Sequence, residues 1–330
     1  MALQIAIVGM NKIGASLGLA LRHSGQGLHC VGFDGDPHNG KAAERLGAVE
    51  KCYHSLPRCV RESDVVILAN PLDEVNESLA VIADHAPPGT VVVDTSPVKV
   101  EVMRWAAEIL PEGVYFTGWV LALNPEHLYD PEVGNDAARK DLFEDSLVGI
   151  TDLPGTPGKV LNLSGDLVTS IGGTPFFISD VEADGLIAMG HELPRLAALA
   201  LLLATVDSPG WHEAQKLTGE DFAKATLPSL NVPERDALGL SMLLNRDNVI
   251  RLVDDLIRSL MRLRGHLEDE DAAALRADIE HAIHQRGLWL EARKKMSWDA
   301  RSSLAQSQIR RPSVLGNWLQ NKLDQAKDQS

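Results

Sequence analysis

"IAIVGMNKIGASLGLAL", residues 5–21, sets a glycine-punctuated turn directly after an apolar run and directly before a helical pattern. Gly9 and Gly14 hold the first and third glycine positions of a G-x-G-x-x-G dinucleotide-binding turn, and Asn11 holds the second. In such a turn the pyrophosphate lies on the helix N-terminus, and an acid at the end of the next strand takes the ribose. Asp34 closes "CVGFD", 25 residues beyond Gly9. A carboxylate there favours NAD and repels the extra phosphate of NADP. Asn11 divides the reading. Asparagine tolerates left-handed backbone, so the turn itself can form. Its amide must then find room beside the pyrophosphate or hydrogen-bond to it; the alternative is a phosphate pocket that has decayed.

Outward from this turn, short apolar runs alternate with helical stretches: Ile5–Val8, His29–Phe33, Val65–Ala69, Val91–Val93 and Val114–Thr117 against Ala15–Arg22, Lys41–Leu46, Val75–His85 and Val98–Leu110. Apolar strands separated by helices imply a parallel sheet covered on both faces. "TDLPGTPG", 151–158, is followed by one more helix–strand unit, Val160–Ile171 and Pro175–Ile178. Beyond it almost every residue is in a helical rhythm, with long candidates at Asp180–Val206, Pro233–His266 and Asp271–Met296. The expected organisation is a dinucleotide-binding α/β domain over 1–179, an all-α substrate and dimerisation domain over 180–296, and a basic tail over 297–330. The last forty residues carry eight Lys/Arg against four Asp/Glu. They read either as a segment docking on the acidic body or a second subunit, or as a mobile terminus.

The formal net charge of −15 disfavours nucleic acid and anionic membranes as partners. Cys30, Cys52 and Cys59 show no metal-ligand spacing and read as inert thiols of a reducing cytosol, without a signal segment before the first strand. The most apolar stretch, "LAALALLLATV" at 196–206, is shorter than the ~20 residues a membrane span needs and is expected as a buried helix or a subunit interface.

"VGFDGDP", "SDVVILANPLDEV", "VVVDTSPVK", "DLFEDSLVGITDLPGT", "IGGTPFFISDVEADGLIAMGHELPRLAALAL" and "LLNRDNVIRLVDDLIRSL" follow the opening stretch in the order seen in prephenate and arogenate dehydrogenases of tyrosine biosynthesis. The chain resembles that family over about residues 3–290. The resemblance implies a Rossmann-type NAD-binding domain followed by an α-helical domain, a cytoplasmic homodimer joined through the helical domain, and hydride transfer from ring C4 of a small carboxylate substrate to NAD as the ring loses CO₂. It lays the cofactor along Gly9, Asn11, Ile13, Gly14, Asp34 and Asn70.

At the chemical centre the chain departs from the family. The Gly-His-Pro motif reads Gly118-Trp119-Val120, so an indole that donates but cannot accept a proton replaces the imidazole and narrows the space for the substrate ring. The family's serine is Pro97, with Ser96 one place early; Ser96 is either a catalytic hydroxyl or an N-cap with Pro97 at the first helical position. Leu-Pro-His reads Leu193-Pro194-Arg195, and a guanidinium there holds a carboxylate in bidentate fashion. The substrate arginine after Thr-Thr becomes Leu227. His191 is left as the candidate catalytic histidine or as a structural one, and Lys99 either faces the cofactor or is a solvated lysine. Two functions follow: an NAD-dependent oxidoreductase with an altered substrate or little of the ordinary activity, or a non-catalytic NAD- or small-acid-binding sensor or scaffold.

Overall fold

The computed structural model describes residues 3–130, 134–229 and 235–296. The proposed basic tail at 297–330 and the first residues of the candidate helix at Pro233 lie outside them.

Eight strands form one sheet in the order β3-β2-β1-β4-β5-β6-β7-β8. They are β1 (Gln4–Val8), β2 (His29–Phe33), β3 (Lys51–Tyr53), β4 (Val65–Leu68), β5 (Val91–Asp94), β6 (Tyr115–Leu121), β7 (Ser146–Asp152) and β8 (Gly173–Phe177). Connecting helices are α1 (Lys12–His23), α2 (Pro37–Leu46), α3 (Leu56–Val60), α4 (Leu72–His85), α5 (Val100–Ile109) and α6 (Gly158–Ser170). Every residue of β4 and β5 is buried, as expected of strands covered on both faces. The strand order reverses between β1 and its neighbours β2 and β4, so the carboxyl end of β1 opens a crevice of the kind that receives nucleotides.

The sheet departs from the all-parallel expectation at β7, which runs antiparallel to β6 and pairs Thr151 with Gly118 and Ile150 with Trp119. "SLVGITD" alternates poorly and follows a long connection rather than a helix. Its partner β6 also runs four residues past the expected Thr117, because pairing with β7 extends it to Leu121.

The remaining helices are α7 (Asp180–Ile187), α8 (Leu193–Val206), α9 (Trp211–Ala214), α10 (Glu220–Thr226), α11 (Arg235–Leu244), α12 (Arg246–Glu268) and α13 (Ala272–Lys295). A π-helical turn, Ala188–Glu192, joins α7 to α8. Pro194 explains it: a proline ring in a helix displaces the carbonyl four residues back, here Gly190, and the wider turn absorbs that displacement. The candidate helix over 233–266 divides at Asn245, which caps α12. Described residues up to Ala183, with those from Arg286 on, form one compact unit; Asp184–Gln285 forms the other.

The apolar helix at 196–206 is not buried within this chain. Of α8 only Ala198 is buried, while Leu201, Leu203 and Val206 are 38%, 61% and 38% exposed. By length and composition alone the helical run Asp180–Val206 could cross a membrane, yet it carries Glu192 and Arg195 at its middle.

Candidate functional site

In the first unit the crevice is built from backbone up. Gly9 follows β1 at φ +92°, in the left-handed region, and a Cβ there would lie 2.5 Å from the Asn70 amide nitrogen. A Cβ at Gly14 would lie 1.9 Å from the Gly9 carbonyl oxygen. Both glycines are therefore demanded by backbone approach between the turn, α1 and the end of β4. Asp34 directly follows β2 and ties the turn to it: its Oδ2 accepts from the Met10 amide at 2.6 Å, and its Oδ1 accepts from the Asp36 amide and from Asn39 Nδ2 at 2.8 and 3.2 Å. Asn70 donates through Nδ2 to Ser78 Oγ at 3.1 Å, while its buried Oδ1 has no partner. A buried acceptor left unmatched beside the glycine turn suits a ligand that brings a donor.

Asn11 is the N-cap of α1. Its Oδ1 accepts from the Ile13 and Gly14 amides at 3.0 and 3.1 Å, and its Nδ2 donates to the Ala69 carbonyl at 2.7 Å. Its φ of −80° is ordinary extended backbone, so the left-handed tolerance of asparagine plays no part; the positive φ belongs to Gly9. The side chain occupies the helix amides that would face a pyrophosphate. The crevice fits a dinucleotide, with its phosphate donors capped by the protein itself.

Three sequence candidates lie away from open space. Lys99 is fully buried: its Nζ is 2.5 Å from Asp94 Oδ2 and donates to the Asp94 carbonyl at 3.1 Å, so it is neither a cleft residue nor a solvated one. Ser96 is not a helix cap, because α5 starts at Val100; its Oγ donates to Asp94 Oδ2 at 2.8 Å. Trp119 is buried in the core among α1 and α6 residues, and its Nε1 donates to Ser164 Oγ at 2.7 Å. Alternation along β6 aims Trp119 at α6 and Gly118 at Lys99. The indole is a packing side chain in place of the expected substrate contact. The last three residues of β6, Trp119, Val120 and Leu121, bring no imidazole, carboxylate or amine.

In the second unit the π-turn and the start of α8 bring His191, Glu192 and Arg195 together. His191 stands at the surface of the turn. Crowding of protein around its ring, and then the Arg195 cation, hold its pKa below the usual imidazole value. At neutral pH it is therefore a neutral ring able to accept a proton. Among the described residues none forms an ion pair with Arg195. Sequence reasoning missed Glu192, which is fully buried and accepts hydrogen bonds from Ser241 Oγ and, at 3.2 Å, from Asn245 Nδ2. Leu227 is 39% exposed at the end of α10.

With this geometry in place, comparison with known proteins is informative. The family described as "Prephenate dehydrogenase, nucleotide-binding domain" matches residues 17–175. The prephenate dehydrogenase of Bacillus subtilis (strain 168) is 25% identical over 278 residues, spanning 82% of this chain and 72% of that one. The cyclohexadienyl dehydrogenase of Zymomonas mobilis is 24% identical over 281 residues, spanning 84% and 92%. The chain is thus similar to prephenate and cyclohexadienyl dehydrogenases over most of its length, and residues 17–175 match the nucleotide-binding domain of that family. Its fold is that of two solved relatives. The prephenate dehydrogenase of Aquifex aeolicus, in complex with hydroxyphenyl propionate and NAD+, superposes with a TM-score of 0.74 at 21% identity, covering 87% of this chain and 98% of that one. The Synechocystis arogenate dehydrogenase gives 0.67 at 18% identity, covering 87% and 100%.

Proposed function

We propose that the chain is a prephenate dehydrogenase-like, NAD-dependent oxidoreductase of tyrosine biosynthesis, retuned toward a different small acid or slowed in the ordinary reaction. The observation that carries the reading is the crevice at β1, where Gly9, Gly14, the α1 N-terminus, Asp34 and the unmatched Asn70 Oδ1 line up as a dinucleotide requires. When bound, the nicotinamide supplies the hydride acceptor. The Asp34 carboxylate takes the adenosine ribose, and α1 faces the pyrophosphate once Asn11 yields its two amides. In the second unit, taken by itself, Arg195 is the group suited to a substrate carboxylate, and among the described residues there the neutral imidazole of His191 is the candidate base. Ser96, Lys99 and Trp119 take no part in this reading; they build the sheet end that carries β6.

The same reading has the chain acting in the cytoplasm as a homodimer, without nucleic-acid or membrane partners. The exposed apolar side of α8 and the net charge of −15 support it. A second reading, a non-catalytic NAD- or acid-binding homologue, is favoured by one observation, the lack of a proton acceptor at the end of β6. NADH formation with prephenate and with arogenate at saturating NAD separates the two. Slow turnover that is lost in His191→Ala supports the oxidoreductase. NAD and acid binding with no turnover supports the binding protein, and no NAD binding refutes both.

A further inference from the structure

Glu192 has no role in the reading above, yet its setting is unusual. A fully buried carboxylate lies in a π-turn, three residues before an arginine that makes no ion pair among the described residues. Its two direct partners are neutral, the Ser241 hydroxyl of α11 and the side-chain amide of Asn245, the residue just before α12. Asn245 Nδ2 also donates to the Asp184 carbonyl at 2.9 Å, and its Oδ1 accepts from Asn248 Nδ2 at 2.9 Å, so its orientation is locked. The charged and titratable groups around the carboxylate are Asp184 from α7, His191 beside it in the turn, and Arg195 from α8; the side of α12 packed against the turn presents Val249 and Leu252.

We propose that Glu192 is the internal counter-charge of Arg195, and that an acid held by Arg195 must displace that relationship, so Glu192 governs the strength and the acidity dependence of acid binding in this unit. The inference rests on Arg195 as the acid-binding group. Residues three apart on a helix are neighbours on its surface, and inside a protein the attraction between such charges is little screened. Burial pushes the Glu192 carboxyl upward, the Ser241 and Asn245 hydrogen bonds pull it down, Asp184 pushes it up, and Arg195 pulls it down. Once a ligand carboxylate neutralises Arg195, that last pull weakens, and the bound state takes a proton from solvent onto Glu192. Binding is then tighter on the acid side of the window between the free and bound pKa values, and the advantage is lost as pH rises past the bound value.

Glu192→Gln separates charge from shape. Its Oε1 can accept from Asn245 while its Nε2 donates to the Ser241 oxygen, so the network survives without the negative charge. The probe is hydroxyphenyl propionate, titrated calorimetrically onto the NAD-saturated full chain from about pH 5.5 to about pH 8, with proton uptake read from buffers of different ionisation enthalpy. The wild type should bind about tenfold more tightly at the acid end, the change that one pKa unit of coupling produces. Because Arg195 also holds the His191 imidazole down, the comparison is made in His191→Gln: that variant should keep part of the slope, and Glu192→Gln added to it should bind tightly at both ends with no proton uptake. A slope that persists in the double variant, or disappears in His191→Gln alone, overturns the proposal. Binding undiminished in Arg195→Gln overturns the acid site itself, an outcome distinct from the first.

Discussion

Replacing Asn11 with glycine should loosen the free protein and tighten its hold on NAD. In the free chain the Asn11 side chain makes three hydrogen bonds, two onto the Ile13 and Gly14 amides and one onto the Ala69 carbonyl. Glycine at an N-cap costs only a few tenths of a kcal/mol relative to asparagine, and loss of the link to Ala69 costs about 1 kcal/mol. Thermal unfolding without cofactor should therefore register a loss of about 1 kcal/mol. In the wild type a pyrophosphate oxygen reaches those amides only after the side chain has been displaced, so the same bonds count against binding. Removing them should tighten NAD by about 1–2 kcal/mol, roughly five- to thirtyfold in Kd. Calorimetric titration supplies the Kd, and melting with and without NAD supplies both quantities from one protein. Weaker binding in Asn11→Gly would mean that the amide contacts the phosphate directly. An unchanged Kd would mean that the pyrophosphate never meets this end of α1, and either result refutes the reasoning.

Four further outcomes are expected. The wild type should prefer NAD to NADP, and Asp34→Ala should weaken NAD and narrow that gap in parallel titrations; equal or tighter NADP binding by the wild type would be decisive against Asp34 as the ribose ligand. Trp119→His should not raise NADH formation with prephenate, because the side chain at 119 faces α6, and it should lower the urea midpoint through the lost bond to Ser164 and the lost indole volume. Lys99→Ala should destabilise the chain by about 3–5 kcal/mol in denaturant unfolding, since it strands the buried Asp94 carboxylate; Lys99→Met with Asp94→Asn should recover much of that loss. Leu203→Glu, on the exposed side of α8, should shift the sedimentation coefficient of the full chain from dimer toward monomer while leaving NAD affinity unchanged.

The parts of the molecule legible in its sequence are those that local periodicity controls. The runs at Ile5–Val8, His29–Phe33, Val65–Ala69 and Val91–Val93 become β1, β2, β4 and β5 within a residue, because a strand buried on both faces must be apolar throughout. What the pattern does not carry is pairing. β7 owes its existence to the neighbouring β6, and the extra length of β6 owes its existence to β7. The same holds for the π-turn: Pro194 signals a helix disturbance, but only the packing of α11 and α12 makes it a place where Glu192 turns inward.

Site residues divide along the same line. Gly9 and Gly14 are readable because their requirement is steric and lies within a few residues of chain. The direction of a side chain is a tertiary fact, and two residues show how much turns on it. Trp119 occupies a position suggestive of the active site, yet strand alternation sends it to α6, where an indole fills space that an imidazole could not. Glu192 drew no separate attention beside His191, and its partners Ser241 and Asn245 lie 49 and 53 residues away in sequence. Such partners are invisible to any motif. At β6 Trp119 is part of the core, whereas at the π-turn a buried carboxylate, a neutral imidazole and a guanidinium with no ion pair among the described residues lie within five residues. Burying the Glu192 carboxylate costs desolvation, which its hydrogen bonds from Ser241 and Asn245 offset, so the π-turn is the place where the proposed acid site is to be tested.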